Sequence, residues 1–316
     1  MNKINQGIIL FKMNRSLLSD YFLQNSSICS FKSSDSWVVL SPIELSIKQK
    51  IEAIGTPLKD WDIQINYGIK TGFNEAFIID GEKRAELIAA DPKCAEIIRP
   101  ILRGRDIKRY NYEFADLWLI NTHNGIKEKG ISRIDIGDYP TIKAHLDQYW
   151  DQISTRADKG DTPYNLRNCA YMDDFSKQKI LWKRVGSILR FCYDDTGCMG
   201  LDSTCFAIGN HVRYLLAVLN SPIGHYQLQN SPQTGTGDLL ISVQALEPIY
   251  IPIPDEKLEK NVVTLINEIV ISHNNKTIHI VEERINKLIF TAYHLTEEEI
   301  SFIKESTRNI SSSVKP

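Results

Sequence analysis

The densest group of residues able to do chemistry is the run IRPILRGRDIKRY at residues 98–110, where Arg99, Arg103, Arg105, Lys108 and Arg109 are opposed by Asp106 alone. An arginine fork pairs with two phosphate oxygens or with O6 and N7 of guanine. Gly104 lets the chain turn sharply and approach a ligand closely. The run reads equally as a grip on a polyanion or as a solvated basic face whose arginines pair with acids elsewhere. Lys177, Lys179, Lys183, Arg184 and Arg190, grouped around Trp182, form a second concentration. That mix suits contacts to a phosphate backbone, and the solvent side of a strand has the same look.

Two polar loops add further donors. YGIKTGFN at residues 67–74 brackets Lys70 and Thr71 with Gly68 and Gly72 and ends on Asn74. Such a loop offers backbone and side-chain donors to phosphates or base edges, but its residues alone favour an ordinary glycine-rich hairpin. DKGDTPYNLRNCAY at residues 158–171 carries Asn165, Arg167 and Asn168, the types that read adenine and guanine in the major groove. Tyr164 and Tyr171 would stack on a base or pack beneath the loop. A plain polar connection has the same Gly, Pro and Asn content.

Catalytic signatures are not in evidence. Asp161-Thr162-Pro163-Tyr164 approaches the (Asn/Asp/Ser)-Pro-Pro-aromatic tetrad that holds an extruded base in DNA amino-methyltransferases. Thr162 replaces its first proline, and residues 156–160 are charged loop instead of a delivering apolar strand, so the tetrad is rejected as catalytic. The triplets at Asp91–Lys93, Asp106–Lys108 and Asp255–Lys257 suggest a nuclease only if paired strands and a second acid accompany them. No Gly-x-Gly fingerprint follows an early strand and no Walker loop occurs. The six cysteines (29, 94, 169, 192, 198, 205) include no Cys-x-x-Cys pair, and the histidines show no ligand spacing. No metal site is expected. A net charge of −2 neither favours nor excludes a nucleic acid, since binding needs a basic face and not a basic total. No apolar run approaches membrane-span length, which leaves a cytoplasmic protein as the expectation.

The elements that must position these residues read as mixed α and β. Strands are expected at 7–12, 63–65, 76–80, 117–121, 179–182 and 205–208. Helices are expected at 42–54, opened by Ser41-Pro42 and stopped by Gly55, and at 83–90, 94–102, 142–153 and 212–219. Gly235-Thr236-Gly237 reads as a flexible connector. The prolines of Ile251-Pro252-Ile253-Pro254 block both helix and central strand and mark a boundary. Beyond it the apolar spacing gives two amphipathic helices and a third capped by Thr296 with Glu299.

Taken in order, INYGIKTGFNEAFIID, IIRPILRGRDIKRY, DYPTIKAHLDQY, DKGDTPYNLRNCAY, LLAVLNSPIGHYQL, IPIP and INKLIFTAYHLTEEEISFI resemble the TaqI-like C-terminal specificity domain, over residues 37–303. That module follows the catalytic domain in type II and fused type IIG restriction–modification adenine methyltransferases. The resemblance implies sequence-specific recognition of double-stranded DNA in the service of adenine N6 methylation. It implies binding roles for Lys70, Thr71, Asn74, Arg103, Arg105, Lys108, Asn165 and Arg167, beside which Arg109, Lys183 and Arg184 stand as candidates from the basic runs. No cofactor is expected in this chain. S-adenosylmethionine would sit in a missing or partner catalytic domain, so catalysis by this chain alone is an open question. The expected fold is a mixed α/β recognition domain at 41–254 with a helical tail at 255–316, preceded at 1–40 by a stub or linker from a methyltransferase domain. Two rivals stand beside this reading, a divergent metal-dependent endonuclease and a protein-interaction module that docks a methyltransferase. On the DNA reading, Arg103→Ala with Arg105→Ala weakens salt-sensitive binding.

Overall fold

The computed structural model describes residues 40–272 and 275–311. The strand expected at 7–12 and the stub expected at 1–40 lie outside the described residues, save Leu40 itself. Two compact units divide the chain, residues 1–49 and 50–316. In the first, Ser41 opens helix Pro42–Ile54 through a reciprocal cap. The Glu44 amide donates to Ser41 Oγ at 3.4 Å, and the Glu44 carboxylate accepts from the Ser41 amide at 2.8 Å. Both are donors that a helix start otherwise leaves open.

The second unit is built on short strands whose pairing, more than their order in the chain, decides what comes together. They are β1 (Thr56–Pro57), β2 (Ile63–Tyr67), β3 (Ile78–Asp80), β4 (Ile98–Leu102), β5 (Leu117–Ile120), β6 (Lys179–Lys183), β7 (Val185–Gly186), β8 (Phe191–Asp194), β9 (Met199–Gly200), β10 (Thr204–Gly209), β11 (Leu239–Leu240) and β12 (Tyr250–Ile251). One sheet runs β2-β10-β6-β8 and is antiparallel throughout. The other runs β3-β5-β4-β9, antiparallel except for the β4–β9 pair. β1 pairs with β12 and β7 with β11.

The residues of β8, and all but the last residue of β6 and β10, are buried, as expected of strands covered on both faces. Helix Val212–Asn220 packs on β6, β8 and β10. Phe175 and Phe206, with ring centroids 4.3 Å apart, belong to the core cluster that also holds Ile69, Ile101 and Leu201. Helix Glu256–Ile271 packs on Val212–Asn220 and on Asn275–Ala292, while Glu297–Ser306 packs on Pro222–Leu228. The cap expected at Thr296 is present as a reciprocal Thr296–Glu299 capping box. No described helix is long and apolar enough to cross a membrane.

Three expected elements take another form. Residues 76–80 begin as the end of a helical turn, Asn74–Phe77, and only Ile78–Asp80 is strand. That strand pairs with β5 and so is not the return arm of β2. Residues 94–102 are a 3-10 turn, Pro92–Glu96, followed by β4 and not a helix. Residues 142–153 form two helices, Pro140–Asp147 and Trp150–Thr155, separated at Gln148-Tyr149.

His145 lies buried in the first of these, with Nε2 donating to the Ala76 carbonyl at 3.0 Å. Burial lowers its pKa below the ordinary 6.5. The folded ring is therefore neutral where the unfolded ring already takes a proton, so folding loses stability as pH falls below about 6.5. The loss levels off once the folded value is passed. His145→Gln keeps a donor for Ala76 and does not titrate. Its thermal midpoint, measured between pH 7 and pH 5, is expected to fall less steeply than the parent's.

Candidate nucleic-acid interface

Three strand ends share one edge of the β2-β10-β6-β8 sheet. Tyr67, the last residue of β2, lies opposite Cys205, and Thr204, the first residue of β10, lies opposite Lys183, the last of β6. The loop after β2, the turn before β10 and the segment after β6 therefore leave the sheet together. The second sheet delivers its own loop to the same place. Parallel pairing of Ile101 with Met199 and of Leu102 with Gly200 carries Arg103-Gly104-Arg105 alongside the turn Leu201-Asp202-Ser203. The Leu201 amide donates to the Leu102 carbonyl at 2.9 Å and the Gly104 amide to Ser203 Oγ at 3.1 Å.

Gly68 makes this convergence possible. Its amide donates to the Thr204 carbonyl at 3.0 Å and the Ile69 amide to that of Gly200 at 2.7 Å. A Cβ on Gly68 would lie 2.0 Å from the Leu201 carbonyl oxygen, so the two backbones could not stay in contact. Gly68→Ala is expected to cost about 3 kcal/mol in urea unfolding, in the range of backbone clashes within a packed structure.

Two neighbouring clefts open along the edge. Tyr67, Lys70, Arg167, Tyr171, Arg184 and Asp202 line the first, of about 430 Å³. Gly104, Arg105, Lys183, Gly186 and Arg190 line the second, of about 250 Å³. Lys183 and Arg184, consecutive in the chain, divide them. Among the described residues no ion pair holds Arg105, Lys183, Arg184 or Arg190. Lys70 and Arg167 both reach Asp158, at 2.7 and 3.3 Å, and the Lys70 ammonium holds that carboxyl below its ordinary range. Both cations are more than half exposed, so these links contribute little to stability and leave a net positive charge at the mouth of the cleft.

The other candidates from the sequence are placed differently. Arg103 forms a bidentate pair with buried Asp106, at 3.0 and 2.8 Å, and Arg109 turns toward the C-terminal helices to meet Glu282 at 2.5 Å. Lys108 pairs with Glu113 at 3.1 Å. Thr71 is buried and its hydroxyl donates to Asn74 Oδ1 at 2.6 Å. Asn165 is buried too. Its side-chain amide donates to the carbonyls of Ile134 and Thr122, while its Oδ1 accepts from Thr162. Tyr171 packs among Phe175 and Phe206, and burial pushes its phenol up to about 12.

Arg156, which the sequence shows only as part of a charged loop, organises residues 158–171 from beneath. Its guanidinium lies over the Phe77 ring at 4.2 Å and donates to the carbonyls of Thr71, Pro163 and Asn165. Burial pulls its pKa down to about 10. Within the rejected tetrad, Tyr164 donates its hydroxyl to Asp147 at 2.6 Å, and its ring lies tilted against Trp150. Every carboxylate of the Asp-x-Lys triplets is engaged locally. Asp91 and Asp255 cap helical turns, and Asp106 binds Arg103. No cluster of His, Cys, Asp or Glu that could hold a metal occurs among the described residues.

Residues 99–253 match the family described as the TaqI-like C-terminal specificity domain. This segment is a TaqI-like C-terminal specificity domain. It spans the chain from within β4 to just past β12 and so contains Arg105, Arg167, Lys183, Arg184, Arg190 and Asp202, while the loop bearing Lys70 precedes it. The chain is similar in fold to the type IIL restriction–modification enzyme MmeI in a structure containing DNA. The TM-score is 0.59 at 13% sequence identity, over 82% of this chain and 37% of the MmeI chain. The type IIG restriction endonuclease BpuSI gives a TM-score of 0.47 at 14% identity, over 80% of this chain and 34% of that one. The chain thus spans little more than a third of MmeI's length. No curated protein matches the sequence.

Asp202 and Arg190 complete the clefts of the specificity domain, yet the sequence singles out neither as a site residue. Arg190 belongs to a visible basic group, but Asp202 sits in Met199-Gly200-Leu201-Asp202-Ser203-Thr204 with no signal beyond the turn residues around it. Only the parallel β4–β9 pairing reveals that this turn is the meeting point.

Proposed function

We propose that the specificity domain recognises a short sequence in double-stranded DNA and so directs methyl transfer to the N6 of adenine. The methyl group would come from S-adenosylmethionine held by a methyltransferase catalytic domain or subunit. The observation that supports this reading is the gathering of Arg105, Lys183 and Arg190, free of ion pairs among the described residues, where loops from two sheets converge. Such cations neutralise phosphates and set position on the duplex, and neighbouring polar side chains then meet base edges. In this reading residues 41–254 recognise the DNA, and the helices of 255–316 brace the sheet through Val212–Asn220.

The test is equilibrium binding of the full chain to a labelled duplex across graded salt. The expected result is an affinity that falls steeply and linearly on logarithmic axes as salt rises. Absence of binding at 50 mM salt, or binding indifferent to salt, overturns the proposal.

A further inference from the structure

The first cleft differs in kind from the second. Where Arg105, Lys183 and Arg190 supply positive charge alone, the first sets Arg184 and Asp202 around one opening. No ion pair joins these two side chains. Arg184 Nε is buried and has no hydrogen-bond partner among the described residues. A buried donor without an acceptor is costly, and native structures leave few of them unless a ligand or solvent completes the site.

Both residues are held from behind by backbone bonds. The Arg184 amide donates to the Ser203 carbonyl at 2.9 Å, and the Arg184 carbonyl accepts from the Ile241 amide at 2.8 Å. On either side of Asp202, the Leu201 amide donates to Leu102 and the Thr204 amide to the Leu201 carbonyl at 2.8 Å. The backbones that carry a donor fork and an acceptor carboxylate are thus fixed side by side, with the cations of the second cleft next to them.

We infer that Arg184 and Asp202 form a specificity-determining pair that reads one G·C base pair in the major groove, an assignment that rests on the DNA-recognition reading above. Arg184 donates to O6 and N7 of guanine, and Asp202 accepts from the N4 amino group of cytosine. These are the edges those side chains match by hydrogen-bond pattern. Adenine in the guanine's place turns its N6 donor toward Arg184 and sets thymine O4, an acceptor, against Asp202, while thymine in that place offers Arg184 a single acceptor, O4, and its methyl group where N7 would be. Lys183, next in the chain but in the other cleft, contacts phosphate and carries no base preference.

The experiment selects bound duplexes from a randomised pool with the full chain, then measures affinity for the winning sequence and for its single-pair substitutions. Wild type is expected to require G·C at one position, with a loss on substitution of about 5- to 150-fold. In Arg184→Ala and in Asp202→Asn that preference collapses at the same position, while the base preferences at the other positions are kept. Lys183→Ala weakens all sequences alike. Circular dichroism and the thermal midpoint verify that each variant is folded. If the Arg184→Ala and Asp202→Asn variants keep every base preference, the pair assignment is overturned and DNA recognition stands. If the two variants lose preference at different positions, the assignment to one base pair is overturned. If the wild-type chain binds no duplex, both readings fall.

Discussion

Replacing Arg105, Lys183 and Arg190 together by alanine is expected to lower affinity for duplex DNA on the order of 100-fold at 0.1 M salt. The reason is their freedom. Each lines the 250 Å³ cleft, and among the described residues none is tied to a carboxylate. Each phosphate neutralised releases condensed counterions, so removing three contacts flattens the logarithmic salt slope by about 2.7. The slope is the sharper readout, because misfolding lowers the active fraction without changing it. Arg109→Ala and Arg103→Ala serve as contrasts. Their guanidiniums are paired with Glu282 and Asp106, so both variants should leave the slope unchanged while costing some stability. Of the Arg103→Ala and Arg105→Ala combination suggested by the sequence, the geometry assigns the loss of binding to Arg105. An unaltered slope in the triple variant would sink the placement of the interface.

The largest effect on stability is expected at Lys179. Its ammonium is wholly buried at the start of β6, bonded to Asp194 and to the Phe175 carbonyl at 2.6 Å. Asp194 also accepts from the Tyr112 hydroxyl at 3.0 Å, the Thr196 hydroxyl at 2.7 Å and the Cys198 amide at 3.1 Å. Removing one partner of such a pair strands the other charge away from water, which costs about 3–5 kcal/mol. Lys179→Met is expected to lose that much in urea unfolding, a large part of what holds an ordinary domain folded. Burial alone would raise the Asp194 carboxyl, but Lys179 and the surrounding donors outweigh it and hold the group below its ordinary 3.8. The unfolded carboxyl therefore takes its proton first as pH drops. The stability it contributes is complete above that ordinary value and disappears as pH falls through the folded one. Asp194→Asn should remove this acid limb from the pH–stability profile. A Lys179→Met variant within 1 kcal/mol of the parent would contradict the role given to the pair.

Strands buried on both faces and helices with caps could be read from the chain because their signal is local. Residues 180–182 and 205–208 are continuous apolar runs, and Thr296 with Glu299 announces its helix start within four residues. The 94–102 segment misleads because Ile98, Ile101 and Leu102 fall at helical spacing. What decides it is distant in sequence. Residues 98–100 pair with β5, residues 101–102 pair with β9, and Pro100 stands where the strand changes neighbours. The glycines of residues 67–74 likewise cannot tell whether the chain returns along β2 or crosses to the other sheet, and here it crosses. Basic composition revealed the presence of cations but not their fate. Arg105 and Arg109 look alike in sequence, and only the fold shows that Arg109 meets Glu282 while Arg105 lines the cleft.

The turn at Leu201-Asp202-Ser203 has one more consequence. Its ends are pinned by main-chain bonds to both sheets, whereas the side chains at its crest and on Arg184 take no part in either ladder. On the recognition reading proposed above, exchanging Asp202 and Arg184 alone would alter what the surface discriminates without breaking those main-chain bonds. A protein so arranged can drift to a new target through a couple of codons while its fold is inherited intact.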